Sequence, residues 1–196
     1  MHVKNHGIPR KVINNTFGLL GRLFALDQED KMDAHVQKNP AIRGYEPLLE
    51  TKLDPRTQGD NKEAFPMGDC VIEQGQGYRG KTGKEVPLHI TRPQNIWPSA
   101  ALWWREGLYE YYNYVMPLGM KLVRIFALAF GLEEHYFDRI LTFPITGMRA
   151  LHYPLTPVAQ DAGSVGLGAH GDFSCETTPI CLGLGQVPQP LKTHGL

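Results

Sequence analysis

Apolar residues recur along the chain with two periods, and the change from one to the other organises it. In "RKVINNTFGLLGRLFAL", residues 10–26, Val12, Ile13, Phe17, Leu20 and Phe24 return at spacings near three and four, which predicts an amphipathic helix. Pro9 suits its first turn, where a missing N–H costs nothing, and the preceding "HVKNHGIP" reads as the end of a strand entering a turn. Asp27 is placed to cap a short second helix, with Glu29 and Asp30 in its first turn. The strongest helical signal is "SAALWWREGLYEYYNYVMPLGMKLVRIFALAFGL", residues 99–132. There Leu102, Tyr109, Tyr112, Met116, Met120, Val123, Ala127 and Phe130 form a stripe, Ser99 caps the start, Gly131 caps the end and Pro117 kinks the middle. Its aromatic density is read as packing. A short helix around "EEHYFDRI" follows.

Between these helices, residues 37–62 are polar and rich in chain breakers, which predicts irregular structure with brief strands, tied to a core by Tyr45, Leu48 and Phe65. "GQGYRGKTGKEVP", residues 75–87, is a second loop. Past residue 140 the period becomes that of strands, in "MRALHYP" and "VGLGAHGDFSC", with Gly163, Gly166 and Gly168 marking a turn and close backbone approach. Helices first and β-structure afterwards predict an α+β fold in which the long helix backs a sheet.

Composition narrows the function. The 196 residues carry 20 basic and 20 acidic side chains, so net charge gives no reason to expect nucleic acid or an anionic membrane as partner. Cys70, Cys175 and Cys181 are an odd set at spacings that suit neither a disulfide framework nor a zinc site, which points to a reducing compartment. The N-terminus lacks the apolar core of a signal peptide, and the most apolar run, "LVRIFALAF", is short and broken by Arg124. A cytoplasmic protein handling small molecules is the expectation.

The candidate chemistry sits in "GLGAHGDFSC", residues 166–175. On a strand, residues i and i+2 share a face at roughly 7 Å, so His170 and Asp172 can lean onto one ion. An imidazole and a carboxylate are too hard a pair for copper(I) and too sparse for calcium. With a second histidine they make the facial set of non-haem iron(II) oxygenases, which leaves positions open for substrate and O₂.

Five stretches in order then resemble one family, the iron(II)- and 2-oxoglutarate-dependent dioxygenases of the isopenicillin N synthase type. They are "VKNHGIP" at 3–9, "LDQEDK" at 26–31, "KEAFPMG" at 62–68, "MRALHYP" at 148–154 and "GLGAHGDFSC" at 166–175. The resemblance implies a mostly helical N-terminal region over 1–140, then the first part of a double-stranded β-helix, or jelly roll, over 141–196, incomplete at the C-terminus and atypical from about 176. It implies Fe(II) held by His170 and Asp172, with 2-oxoglutarate as co-substrate and Tyr153 bonded to one of its carboxylates. It further implies O₂ and a small molecule that is hydroxylated or desaturated. His2 and His6 belong to the N-terminal signature and are structural. Strand alternation groups Arg149, Leu151 and Tyr153 on one face and turns His152 away, so His152 is not taken as a ligand.

The chain departs from the family pattern after Asp172. Only 24 residues follow, the sole downstream histidine is His194, and no arginine follows Arg149 to make a bidentate clamp for the far carboxylate; Lys192 lacks the fork geometry. Pro179, Pro188, Pro190, Gly183 and Gly185 would interrupt a central strand. The expectation is therefore a chain truncated at both ends, with two readings: an oxygenase, or a non-catalytic fragment derived from one.

Overall fold

The computed structural model describes residues 3–52, 59–68, 94–141 and 146–154. Helix α1 (Arg10–Phe24) begins after Pro9, which stands at the N-cap with φ −61°. Its buried side is Val12, Ile13, Thr16, Leu23 and Phe24. Phe17, expected in the seam, is 40% exposed, and Thr16 takes the inner position by donating its hydroxyl to the Val12 carbonyl at 2.9 Å. That local bond hides a polar side chain inside the helix, something an apolar pattern does not register. The stretch before α1 is not a strand: Asn5 and Gly7 have φ of 55° and 79°, which turns the chain out of extended geometry. His6 Nδ1 accepts the Ile8 N–H at 3.1 Å and fastens that turn. Helix α2 (Gln28–Met32) follows Asp27, which holds the N-cap position without a side-chain bond to the helix.

Residues 33–52 run through a 3₁₀ turn (Val36–Lys38) and make single bridges, His35 to Tyr45 and Glu46 to Ala64. Tyr45 is buried as expected, whereas Leu48, expected as a further anchor, stands 44% exposed. Gly44, with φ 131°, lies so close to the Ala34 carbonyl oxygen that a Cβ would collide with it. Strand β1 (Glu63–Gly68) pairs antiparallel with β2 (Gly147–His152), Glu63 opposite His152 and Gly68 opposite Gly147. The Glu46 bridge adds a further partner on the other edge of β1, through Glu46 N–H to Ala64 O at 2.8 Å.

Helix α3 (Leu102–Ala129) backs this sheet, and Pro117 lies within it. Its seam is Trp104, Leu108, Tyr111, Leu118, Leu122 and Ala127. Leu102 and Phe130, expected at the two ends of the stripe, are 58% and 72% exposed. The helix is apolar on several sides at once, so its period marks a helix without marking which row faces inward. Ser99 does not cap α3, whose N-cap position is Ala101; it opens a 3₁₀ turn (Ser99–Ala101) and its N–H goes to Asp33 Oδ2 at 2.9 Å. Gly131 ends the helix as expected: with φ 73° it lets its own N–H reach Leu128 O at 3.0 Å and the Leu132 N–H reach Ala127 O at 2.9 Å. Residues 134–141 are successive turns, not the expected helix. A segment this short is below the length at which a helix sustains itself, and it is held by Asp138, which accepts from Arg124 Nη2 at 2.8 Å. The loop expected at 75–87 and the glycine-bounded strand expected at 165–175 lie outside the described residues.

Phe65, fully buried, meets Trp104 edge-on at 5.0 Å and stacks on Trp97 at 5.8 Å, which joins the sheet to α3. Beside this apolar contact stands a buried carboxylate. Glu63 Oε2 accepts from Lys31 Nζ at 2.9 Å and from the Tyr45 hydroxyl at 2.5 Å, and Oε1 meets His152 Nδ1 at 2.7 Å. Lys31 also reaches the Phe24 carbonyl at 3.2 Å, and the Phe24 ring stacks on His152 at 5.2 Å. Burial alone would raise the Glu63 pKa, but the bonds from Tyr45, Lys31 and His152 outweigh it and hold the carboxyl below its ordinary value. Burial, reinforced by that carboxylate, pushes the Tyr45 phenol well above the usual tyrosine range.

Two outcomes follow. Leu108→Ala should lower unfolding free energy by about 2–5 kcal/mol, while Phe130→Ala stays within about 0.5 kcal/mol; urea denaturation compares them, and equal costs would misplace the seam. Because the folded Glu63 pKa is depressed, its contribution is complete above the unfolded value of 4.5 and is lost as pH falls through the folded one. Stability should therefore fall more steeply with acid below pH 4.5 in the native chain than in Glu63→Gln, as urea midpoints across that range would show.

Candidate functional site

Directly opposed residues of an antiparallel pair share a face, and alternation sends their neighbours to the other. Glu63 with His152, Phe65 with Ala150 and Met67 with Met148 therefore face the helices. Ala64 with Leu151 and Pro66 with Arg149 face away, and Tyr153, one residue past β2, continues that second set. The grouping of Arg149, Leu151 and Tyr153 matches the sequence expectation, as does the turning of His152 to the side opposite Tyr153.

The second face is built unlike a core. Arg149, with 44% of its side chain exposed, is paired through Nη2 with Glu46 Oε2 across the intervening β1. Glu46 also accepts from the Thr51 hydroxyl at 3.1 Å, so a threonine and an arginine converge on one largely buried carboxylate. Lys62 and Asp60, both buried, form a second ion pair just before β1. Leu151 and Tyr153 are half-exposed beside these charges. A sheet with one side closed on helices and the other carrying ion pairs and a partly open tyrosine is suited to holding a polar ligand on that other side.

Tyr153 is 47% exposed. Burial raises its pKa and the nearby Asp60 charge raises it further, against a smaller opposing effect of Arg149. The phenol therefore stays protonated and acts as an O–H donor, the state needed to bond a carboxylate.

Among the described residues no group of three or more His, Cys, Asp or Glu is arranged to hold a metal ion. His170 and Asp172 lie outside the described residues, so of the expected site residues Tyr153 alone has a described position. Sequence reasoning missed the Glu63–Lys31–Tyr45–His152 cluster and the Asp60–Lys62 and Glu46–Arg149 pairs. Residues 32 and 103 positions apart meet in them, Lys31 with Glu63 and Glu46 with Arg149. The only local trace was the "KEAFPMG" stretch itself, whose Lys62 and Glu63 are both buried. No helix among the described residues is long and apolar enough to cross a membrane.

Comparison with known proteins agrees with this architecture. Residues 1–100 match the family model described as non-haem dioxygenase in morphine synthesis N-terminal. The 2-oxoglutarate-Fe(II) type oxidoreductase hxnY of Emericella nidulans is 32% identical over 183 residues, covering 89% of this chain and 49% of its own length. The 2-oxoglutarate-dependent dioxygenase thnC of Trichoderma harzianum is 29% identical, covering 87% of this chain and 50% of its own. Among solved structures, a 2OG-Fe(II) oxygenase family protein from Caulobacter crescentus superposes with TM-score 0.63 at 25% identity, over 84% of this chain and 49% of that one. A full-length Neurospora crassa protein in complex with alpha-KG shares the fold, with TM-score 0.63 at 22% identity over 86% of this chain and 50% of that one. The chain spans about half the length of the curated relatives it matches. On the family match, these relatives and the shared fold, the chain belongs to the 2-oxoglutarate- and Fe(II)-dependent dioxygenases.

Proposed function

We propose that the protein is a 2-oxoglutarate- and iron(II)-dependent oxidoreductase of the cytoplasm that hydroxylates or desaturates a small molecule using O₂. In this reading residues 1–140 form the N-terminal region and 141–196 contribute to a jelly-roll core that β2 begins. His170 and Asp172 hold Fe(II), and Tyr153 donates its hydroxyl to a carboxylate of 2-oxoglutarate. The observation that carries the reading is Tyr153: a protonated, half-exposed phenol on the sheet face turned away from the helices, in a chain of this family.

Held by His170 and Asp172, iron(II) would supply the O₂ chemistry that links oxidative decarboxylation of 2-oxoglutarate to oxidation of the substrate. The chain's own part is geometric. β2 orients Tyr153, and Glu46 holds the Arg149 guanidinium two strand positions before Leu151. On the opposite face Phe65 of β1 packs against Trp104 of α3 and against Trp97, which leaves one side for ligands.

The test is anaerobic addition of iron(II), ascorbate and 2-oxoglutarate, with the visible charge-transfer band of the bound complex as readout. The native chain should show the band with stoichiometric iron, and His170→Ala and Asp172→Ala should lose both. Tyr153→Phe should keep iron and weaken 2-oxoglutarate by about tenfold to a hundredfold, the worth of a hydrogen bond to a charged group. A native chain that takes up neither iron nor 2-oxoglutarate would support the alternative, a non-catalytic protein derived from such an oxygenase.

A further inference from the structure

The register of β2 is fixed by little apolar packing. It has six residues, its first pair is Gly147 with Gly68, its one buried side chain is Ala150, and its one large apolar side chain turned inward is the partly buried Met148, packed against the core. A strand with so few large inward side chains is weakly specified, and a slip of one residue would exchange its two faces, sending Tyr153 toward the helices and His152 away.

What opposes the slip is polar. His152 is gripped twice: its Nδ1 meets Glu63 Oε1 at 2.7 Å, and its ring lies on Phe24 at 5.2 Å. Glu63 is in turn held by groups outside β2, Lys31 of α2 at 2.9 Å and the Tyr45 hydroxyl at 2.5 Å, which also reaches Gln28 Oε1 at 3.2 Å. Lys31 closes the circuit by bonding the carbonyl of Phe24 at 3.2 Å, the same residue whose ring covers His152. On the opposite face the Arg149–Glu46 pair tethers β2 a second time. Releasing His152 would leave one oxygen of a buried carboxylate short of its partner, so the native register carries an energetic preference that the slipped one lacks.

We propose that Glu63 and His152 are positioning residues for the co-substrate: Glu63, clamped by Lys31 and Tyr45, holds the His152 imidazole against Phe24 and thereby fixes the face on which β2 presents the Tyr153 hydroxyl. His152 touches no ligand in this scheme and acts one peptide away, through Tyr153. The inference rests on the role of Tyr153 proposed above.

The experiment is calorimetric titration of 2-oxoglutarate into the full chain loaded with manganese(II), a redox-silent stand-in for iron, across a double-mutant cycle. His152→Ala should weaken 2-oxoglutarate by about tenfold. His152→Asn, whose amide nitrogen occupies the place of Nδ1, should recover most of that loss. In a Tyr153→Phe background His152→Ala should cost nothing further, because both changes remove the same contact. Glu63→Gln, which keeps the volume and an acceptor oxygen, serves where His152→Ala does not fold; its smaller loss should likewise vanish in Tyr153→Phe. Additive losses, or His152→Ala and Glu63→Gln that leave affinity unchanged while Tyr153→Phe weakens it, would overturn the positioning role and leave the function reading standing. An unaffected Tyr153→Phe, or a native chain that binds no 2-oxoglutarate, would overturn both.

Discussion

A buried carboxylate without partners is among the most costly groups a small core can hold, and much of this fold is arranged so that Glu63 is not one. Lys31 comes from α2, Tyr45 from the segment after it and His152 from β2, and each arrives at hydrogen-bonding distance. Segments with little regular structure of their own thus acquire fixed positions. The stretch 33–52 makes only single bridges, yet its Tyr45 is buried and bonded at the centre. Replacing the cluster with apolar residues could serve stability as well; what the polar version adds is direction, because hydrogen bonds specify which residue meets which.

That direction gives the sheet two unlike sides. Phe65, Ala150 and Met67 close one on α1 and α3, while Arg149, Leu151 and Tyr153 stand on the other, the Arg149 charge matched by Glu46 and the nearby Asp60 by Lys62. Antiparallel sheets commonly bury one side and leave the other solvated. Here the side turned from the helices carries the tyrosine on which the functional reading depends, and the helix side carries at its rim the histidine, 45% of its side chain exposed, that holds the same strand in place.

Much of the scaffold was legible in the residues. The bodies of α1 and α3, the Gly131 terminus, the buried Tyr45 and Phe65 and the alternation along β2 all follow from local rules. The inward row of α3 was not, since Leu102 and Phe130 are as apolar as Leu108 and Leu122 and only packing distinguishes them. Thr16 was missed because a threonine can satisfy itself within a helix, and the helix expected at 133–140 because a short segment follows its side-chain tethers. The polar cluster was invisible for another reason: nothing local signals that Lys31 and Glu63, 32 positions apart, share a bond. His170 and Asp172, expected as a metal pair from spacing and resemblance, lie outside the described residues.

The most direct measurement is the titration of the Glu63 side-chain carboxyl itself, followed by carbon-13 NMR with selective labelling. The expected midpoint lies below that of an ordinary glutamate, with Tyr45, Lys31 and His152 holding the charged form against burial. A midpoint at or above the ordinary value would mean that burial prevails, and the cluster would then not be the constraint that orders these segments.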